Sequence, residues 1–276
     1  MLTKVNAKTR RSLLQADAIQ EVAGILRALD WFLGDLCVVD YEDEKEVLRE
    51  IAITGDTLDE LVRGDIAASR RASERFAAFT GRVPPDPRRL GSLFFKSRAG
   101  LREVHFWFDE RGLVPRAGET HFGNLLSFVW EDSHCGKHLT EVCLAVMERL
   151  FDNALFDHGF CCVTDQYDGK NMDYSGGGAR AVGLDVSKAL SGFYWGNYFG
   201  AYLCKLIGAE TLMDVPCCDS IQAQSGVLVV NKLPPDEWSQ QAFLANEKAA
   251  MEYIGQRFFF EKGKAYPDAL SWSAEP

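Results

Sequence analysis

Phe160-Cys161-Cys162-Val163-Thr164, Ser191-Gly192-Phe193-Tyr194-Trp195-Gly196-Asn197-Tyr198-Phe199-Gly200 and Gly226-Val227-Leu228-Val229-Val230-Asn231 decide the fold. The first and last are short apolar runs bounded by turn residues, the pattern of strands buried on both faces. Between the first two, Gln166 to Arg180, with Gly176-Gly177-Gly178, reads as a polar loop. An apolar helical segment comes after Gly200 and ends near Gly208, and Leu233-Pro234-Pro235 closes the unit. Asp236 is placed to cap a last helix through Trp238, Phe243, Leu244, Ala249 and Tyr253, ending near Gly255. Arg257-Phe258-Phe259-Phe260 is either a terminal strand or a plug of the core.

Upstream of this unit, Leu139, Val142, Cys143, Val146, Met147, Leu150 and Phe151 form one helical stripe within His138–Asn153. Leu93-Phe94-Phe95 and Val104-His105-Phe106-Trp107-Phe108 read as strands, with His105 and Trp107 on one face and Phe106 and Phe108 on the other. Asp109-Glu110-Arg111-Gly112 reads as a hairpin turn into Leu113-Val114. Leu125, Leu126, Phe128 and Val129 fit helix or strand equally. The first 80 residues read as mostly helical. One amphipathic helix runs from about Ser12 to Leu33, and a second starts at Asp56-Thr57, carries Leu58, Leu61, Val62 and Ile66, and continues towards Phe79. A short β-type run, Leu36-Cys37-Val38-Val39, and the acidic cluster Asp40 to Glu46 separate them. Pro84-Pro85-Asp86-Pro87 ends the second helix. The expected fold is α+β, a mixed or antiparallel sheet packed with helices and preceded by a mostly helical N-terminal region. Residues 1–83 and 84–276 form either two regions or one continuous domain.

The chain has 276 residues, 47% hydrophobic, with a formal charge of −10 and eight cysteines. That is enough apolar material for a large core and too much for a disordered chain. No apolar run reaches the roughly 18 residues that a membrane span needs. Lys4, Lys8, Arg10 and Arg11 resemble the start of a signal peptide, but Gln15, Asp17, Gln20 and Glu21 interrupt the segment where its apolar core would stand. A cytoplasmic location is therefore expected. Cys143, Cys161, Cys162 and Cys204 lie in apolar runs and read as buried thiols. The acidic balance disfavours nucleic acid and anionic membranes as partners and suits a basic protein.

Few residues carry chemistry by pattern. Cys135, flanked by His134 and His138 with His121 upstream, is a candidate thiol nucleophile with a histidine base, although nothing around it matches a known pattern. Such a cysteine-dependent hydrolase is one alternative function, and a secretion-system adaptor is another. His134 and His138 have the spacing of helical metal ligands, but the glutamate of the zincin pattern is replaced by Cys135. Asp165, Asp168 and Asp173 lack the spacing of a calcium loop and read as a hydrated stretch. No catalytic residue, metal or cofactor is expected, and most of Phe193, Tyr194, Trp195, Tyr198 and Phe199 belong in a core.

Tyr194-Trp195-Gly196-Asn197-Tyr198-Phe199-Gly200, with Leu206-Ile207-Gly208-Ala209-Glu210-Thr211-Leu212 and the Leu233-Pro234-Pro235 turn, resembles the bacterial immunity protein 52 family. The resemblance covers about Leu90 to Gly255. It implies an immunity protein of a polymorphic toxin system, including those of type VI secretion, that binds and silences a cognate toxin without chemistry of its own. The expected target is a nuclease with a basic surface. The stretches suited to meet it are Asp40, Tyr41, Glu42, Asp43 and Glu44, and the group Asp165, Tyr167, Asp168, Asp173 and Tyr174, where carboxylates mix with tyrosine anchors.

Overall fold

Thr3, Val5 and Ala7 alternate with Lys4, Asn6 and Lys8, and the chain opens as a strand, β1 (Leu2–Thr9), in a computed structural model. The structure describes residues 1–42, 45–80, 90–98, 102–109, 124–134, 138–174, 178–183, 188–265, 267 and 270. After β1 come α1 (Ala16–Ala28), α2 (Asp30–Leu33), β2 (Leu36–Glu42), β3 (Lys45–Glu50) and the long α3 (Gly55–Thr80). The expected helical N-terminal region is therefore corrected: three strands share it with its helices. The lysines of β1 conceal its alternation, because both stand on a face that proves to be covered.

The chain continues with β4 (Leu90–Ser97), β5 (Arg102–Asp109), β6 (Asn124–Glu131), α4 (Leu139–Phe151), β7 (His158–Val163), α5 (Thr164–Asn171), and the short β8 (Met172–Asp173) and β9 (Arg180–Ala181). It ends with β10 (Gly196–Gly200), α6 (Ala201–Ile207), α7 (Ala209–Met213), β11 (Cys218–Gln222), β12 (Gly226–Asn231) and α8 (Gln241–Ile254). The segment from Gln166, expected as loop, begins inside α5. That helix buries Gln166, Tyr167 and Asn171, two of them polar, so it carries no apolar stripe to betray it. Pro84 to Pro87, Glu110 to Val114, His121 and Cys135 lie outside the described residues.

Ten strands form one sheet in the order β11-β12-β10-β7-β1-β6-β5-β4-β2-β3, and each neighbouring pair within it runs antiparallel. Strands from both sides of residue 83 thus share it: β1 pairs with β6 and β7, and β2 pairs with β4. One sheet face presents Val5, Val38, Phe95, Phe106, Phe128, Cys161 and Leu228 to Ile19 and Val22 of α1, Val62 of α3 and Met147 of α4. On the other face, the C-terminal strands offer Phe199, Val227 and Val229 to Leu203, Leu212, Ile254 and Phe259. Phe193, Tyr194, Trp195, Tyr198 and Phe199 are all fully buried, and in the Arg257–Phe260 run the three phenylalanines plug the core, with Arg257 exposed and Phe259 bridging to Leu190. Glu247 of α8 ties the covering layer together, accepting from Lys170 Nζ at 2.7 Å and from Gln166 Nε2. Among the described residues no helix is long and apolar enough to cross a membrane.

Close packing at the β1–β7 join makes a test of this arrangement. A Cβ on Gly159 would lie 2.1 Å from the Phe151 ring and 2.7 Å from the carbonyl oxygen of Asn6, which the ladder holds in place. Gly24, inside α1, has nothing within 4 Å of such a Cβ. Urea unfolding should show Gly159→Ala destabilised by about 1–3 kcal/mol, and Gly24→Ala stabilised by about 0.5–1 kcal/mol.

Candidate functional site

Cross-strand register places the side chains of the second sheet face. Ser92, Trp107, Leu125, Lys8, His158 and Phe199 stand side by side along one row. Phe94, His105, Ser127, Asn6, Phe160 and Asn197 form the next. The two rows begin in different environments from those in which they end. Around β1, β7 and β10 the face is covered: Phe160 stacks on Tyr194 at 4.2 Å between centroids and on Tyr167 at 5.9 Å. Towards β4 and β5 the cover thins, and Phe94, His105 and Trp107 are only half-buried.

Those three rings are contiguous, Phe94 tilted against His105 and His105 stacked on Trp107. The Phe94 and His105 centroids are 4.4 Å apart, and His105 lies nearly parallel to Trp107 at 5.1 Å. Charged groups frame it. Lys96 Nζ sits 5.3 Å from the Phe94 centroid and pairs with Glu46 at 2.8 Å and Glu103 at 3.7 Å. His105 Nε2 lies 3.4 Å from Glu103 Oε2. Burial pulls the His105 pKa below its usual value, Glu103 opposes that shift, and Lys4 and Lys96 add to it, which favours the neutral ring. A neutral aromatic centre with a charged rim is the composition of a protein-binding surface, since flat rings bury area at little entropic cost.

The acidic residues singled out by sequence fall on two separate parts of the molecule. Asp40, Tyr41 and Glu42 lie on β2 beside β3, and Asp43 and Glu44 fall outside the described residues. Asp40 pairs with Arg49 at 3.2 Å, Glu46 with Lys96 and Glu50 with Arg98, so much of this hairpin's charge is balanced within the sheet. Asp165 and Asp168 lie on α5, where Asp165 is exposed and Asp168 half-buried. Asp173 is half-buried in β8 and Tyr174 is exposed beyond it. Tyr167 is buried under the cation of Lys4, 4.3 Å from its centroid, and its ring belongs to the covering layer. Five strand spacings of about 4.8 Å separate β2 from β7, roughly 24 Å, so the two acidic stretches do not form one patch.

His138 is exposed at the start of α4, with Nδ1 3.1 Å from Glu141 Oε2, and His134 ends a short 3-10 turn. Among the described residues no three His, Cys, Asp or Glu side chains converge in a way that would hold a metal ion. Cys143, Cys161 and Cys162 are buried free thiols and Cys204 is half-buried; burial, above all, raises the pKa of Cys161 and Cys162. A buried polar seam lies beneath the cover instead. Lys8 Nζ donates to Ser191 Oγ at 3.3 Å, and His158 Nδ1 lies 2.9 Å from the Tyr198 carbonyl, which requires the proton on Nδ1. Burial lowers Lys8 to about 7, and burial reinforced by Lys8 lowers His158 to about 3.

No family model and no curated protein matches the chain. Among solved structures it is similar to the Pseudomonas aeruginosa T6SS protein PA0821 at 10% identity and a TM-score of 0.52, over 99% of this chain and 79% of that one. At that identity the likeness is one of fold. The Tyr194–Gly200 stretch, on which the expected likeness to the immunity protein 52 family rests, is buried throughout. Sequence reasoning placed His105 and Trp107 on a common face but assigned them no role. Two aromatic-class side chains at alternate positions on the face opposite the core residues Phe106 and Phe108 were the available signal.

His158 gives this region a defined pH dependence. Its folded pKa of about 3 lies below the ordinary value of 6.5. In that window the unfolded chain binds a proton that the folded chain refuses, so stability is full above the ordinary value and falls as pH drops towards the lower one. His158→Asn, which keeps a donor for the Tyr198 carbonyl and does not titrate, should lose less stability than the wild type between those limits. Urea midpoints measured across the range check this.

Proposed function

We propose that the chain is an immunity protein associated with type VI secretion, of the immunity protein 52 type, that silences a cognate toxin by binding it one to one. The target is a nuclease effector, and no reaction is carried out on it. The observation that carries this reading is the half-covered Phe94–His105–Trp107 stack, with its mixed-charge rim, on a sheet face that is elsewhere covered. Two others support it: the resemblance of Tyr194–Leu212 to that family, and the fold shared with a protein named as belonging to the T6SS of Pseudomonas aeruginosa.

The stack is the proposed centre of the toxin interface. Lys96, Glu46 and Glu103 form its rim, where they govern partner choice and association rate more than affinity. Asp40, Tyr41 and Glu42 border it through β2, the second strand from the sheet edge, whereas Asp165, Asp168, Asp173 and Tyr174 are remote from it. A basic toxin surface is drawn by the net charge of −10 rather than by any one of these pairs.

Calorimetric titration into the toxin encoded by the adjoining gene, with nuclease activity followed in parallel, tests the reading. Inhibition should saturate near one equivalent, and complete inhibition far below that ratio would mean an enzyme. Trp107→Ala should weaken binding about 30-fold, the loss expected for an aromatic anchor worth ~2 kcal/mol, while its melting temperature stays close to that of the wild type.

A further inference from the structure

Beyond the rim that Glu46 lends to the aromatic stack, the outer edge of the sheet carries a further feature. β3 ends the strand order and is paired by β2 alone among the described strands. An edge strand has a row of unpaired backbone donors and acceptors, and natural edges are usually shielded by charges that project past them. Glu46, Arg49 and Glu50 of β3 instead reach inward over their own sheet. Glu46 spans β2 to reach Lys96 on β4, Glu50 reaches Arg98 just beyond β4, and Arg49 turns to Asp40 on β2. Leu48, in the middle of β3, is 39% exposed.

At the C-terminal end of the same strand a cleft of about 510 Å³ opens. Glu50, the last residue of β3, lines it, and Ile51 and Ile53 continue the chain along its wall, with Leu26 and Leu36 beside them. The rim leans acidic. Asp30 and Asp35 are exposed and have no ion-pair partner among the described residues, against the single unpaired guanidinium of Arg27; Arg98 is taken by Glu50. The Arg98 amide, donating to the Asp35 carbonyl at 2.9 Å, closes one side of the cleft.

We propose that the outer edge of β3 and this cleft together form a docking site for an extended segment of a partner protein that carries an aliphatic side chain next to a lysine or arginine. Main-chain hydrogen bonds to β3 hold the segment, Leu48 packs against its inward-facing side chains, and the cleft selects the residue at its end. The aliphatic side chain takes the wall of Leu26, Leu36, Ile51 and Ile53, and the neighbouring cation meets Asp30 and Asp35. The site stands whether or not the partner is a toxin.

Peptides of about 12 residues displayed on phage, long enough at ~3.3 Å per residue to span β3 and the cleft, test it when panned against the immobilised full chain. Enriched peptides should share the aliphatic–basic pair. The double variant Asp30→Lys with Asp35→Lys, both at exposed positions, should bind them at least about tenfold more weakly. Leu48→Asp should do the same, while Tyr253→Ala on distant α8 binds them normally. Hydrogen exchange should slow at the β3 amides when a selected peptide is bound. Absence of any enriched pattern, indifference to the β3 and cleft variants, or protection elsewhere with none on β3 would overturn the proposal. These outcomes are independent of the toxin titration, so failure of one leaves the other standing.

Discussion

β1 is hydrogen-bonded to β6 along eight residues on one side and to β7 along six on the other. Six strands, from β3 to β1, lie on one side of the β1–β7 join and four on the other, and the ladder crosses between them only there. The position has a cost, because it puts Lys4 and Lys8 on a covered face. Their stems and charges lie over Tyr167 and Phe160, and Lys8 donates to Ser191. Burial still pulls both ammonium groups down in pKa, which measures the desolvation that remains. Everything that covers the second face, from α5 to the Arg257–Phe260 plug, is arranged around this pairing. The first strand cannot be fully paired until residues beyond 150 have been made, so the sheet is a late, long-range structure.

The unequal cover of that face results from the chain order. Segments after β7 pack over β7, β10 and β12, and α5 lies against β1 as well, while α1, α3 and α4 crowd the opposite face. β4 and β5 therefore keep one side thinly covered, and alternation sends Phe94, His105, Trp107 and Lys96 to it. The charges there are matched in pairs rather than massed, so the centre of the surface is aromatic and neutral. That composition suits recognition by shape, with the overall acidic field left to guide encounter.

Much of this was legible in the sequence. β7, β12, α4 and α8 announced themselves because each is governed by one strong period or one unbroken apolar run. β5 gave its two faces correctly. β1 was missed because a buried lysine breaks the rule that charge means solvent, and only a tertiary neighbour such as Tyr167 or Ser191 makes that burial tolerable. α5 was missed because its buried positions are Gln166, Tyr167 and Asn171: Gln166 and Asn171 find partners on α8 and in the segment after β9, and Tyr167 lies against Lys4 of β1 and Phe160 of β7. The acidic stretches drew attention as runs of like charge, but Arg49, Lys96 and Arg98, which balance the hairpin, are invisible until the strands are paired. The aromatic stack needed the register of β4 and β5, which no local pattern supplies.

The proposed docking face is the thinly covered side of β4 and β5. Hydrogen exchange of the chain, free and bound to the toxin encoded beside it, tests that most directly. Docking there should slow exchange at β4 and β5 around Phe94, His105 and Trp107 and leave the α1, α3 and α4 layer unchanged. Protection confined to that helical layer, or to α8, with β4 and β5 exchanging as in the free chain, would contradict it.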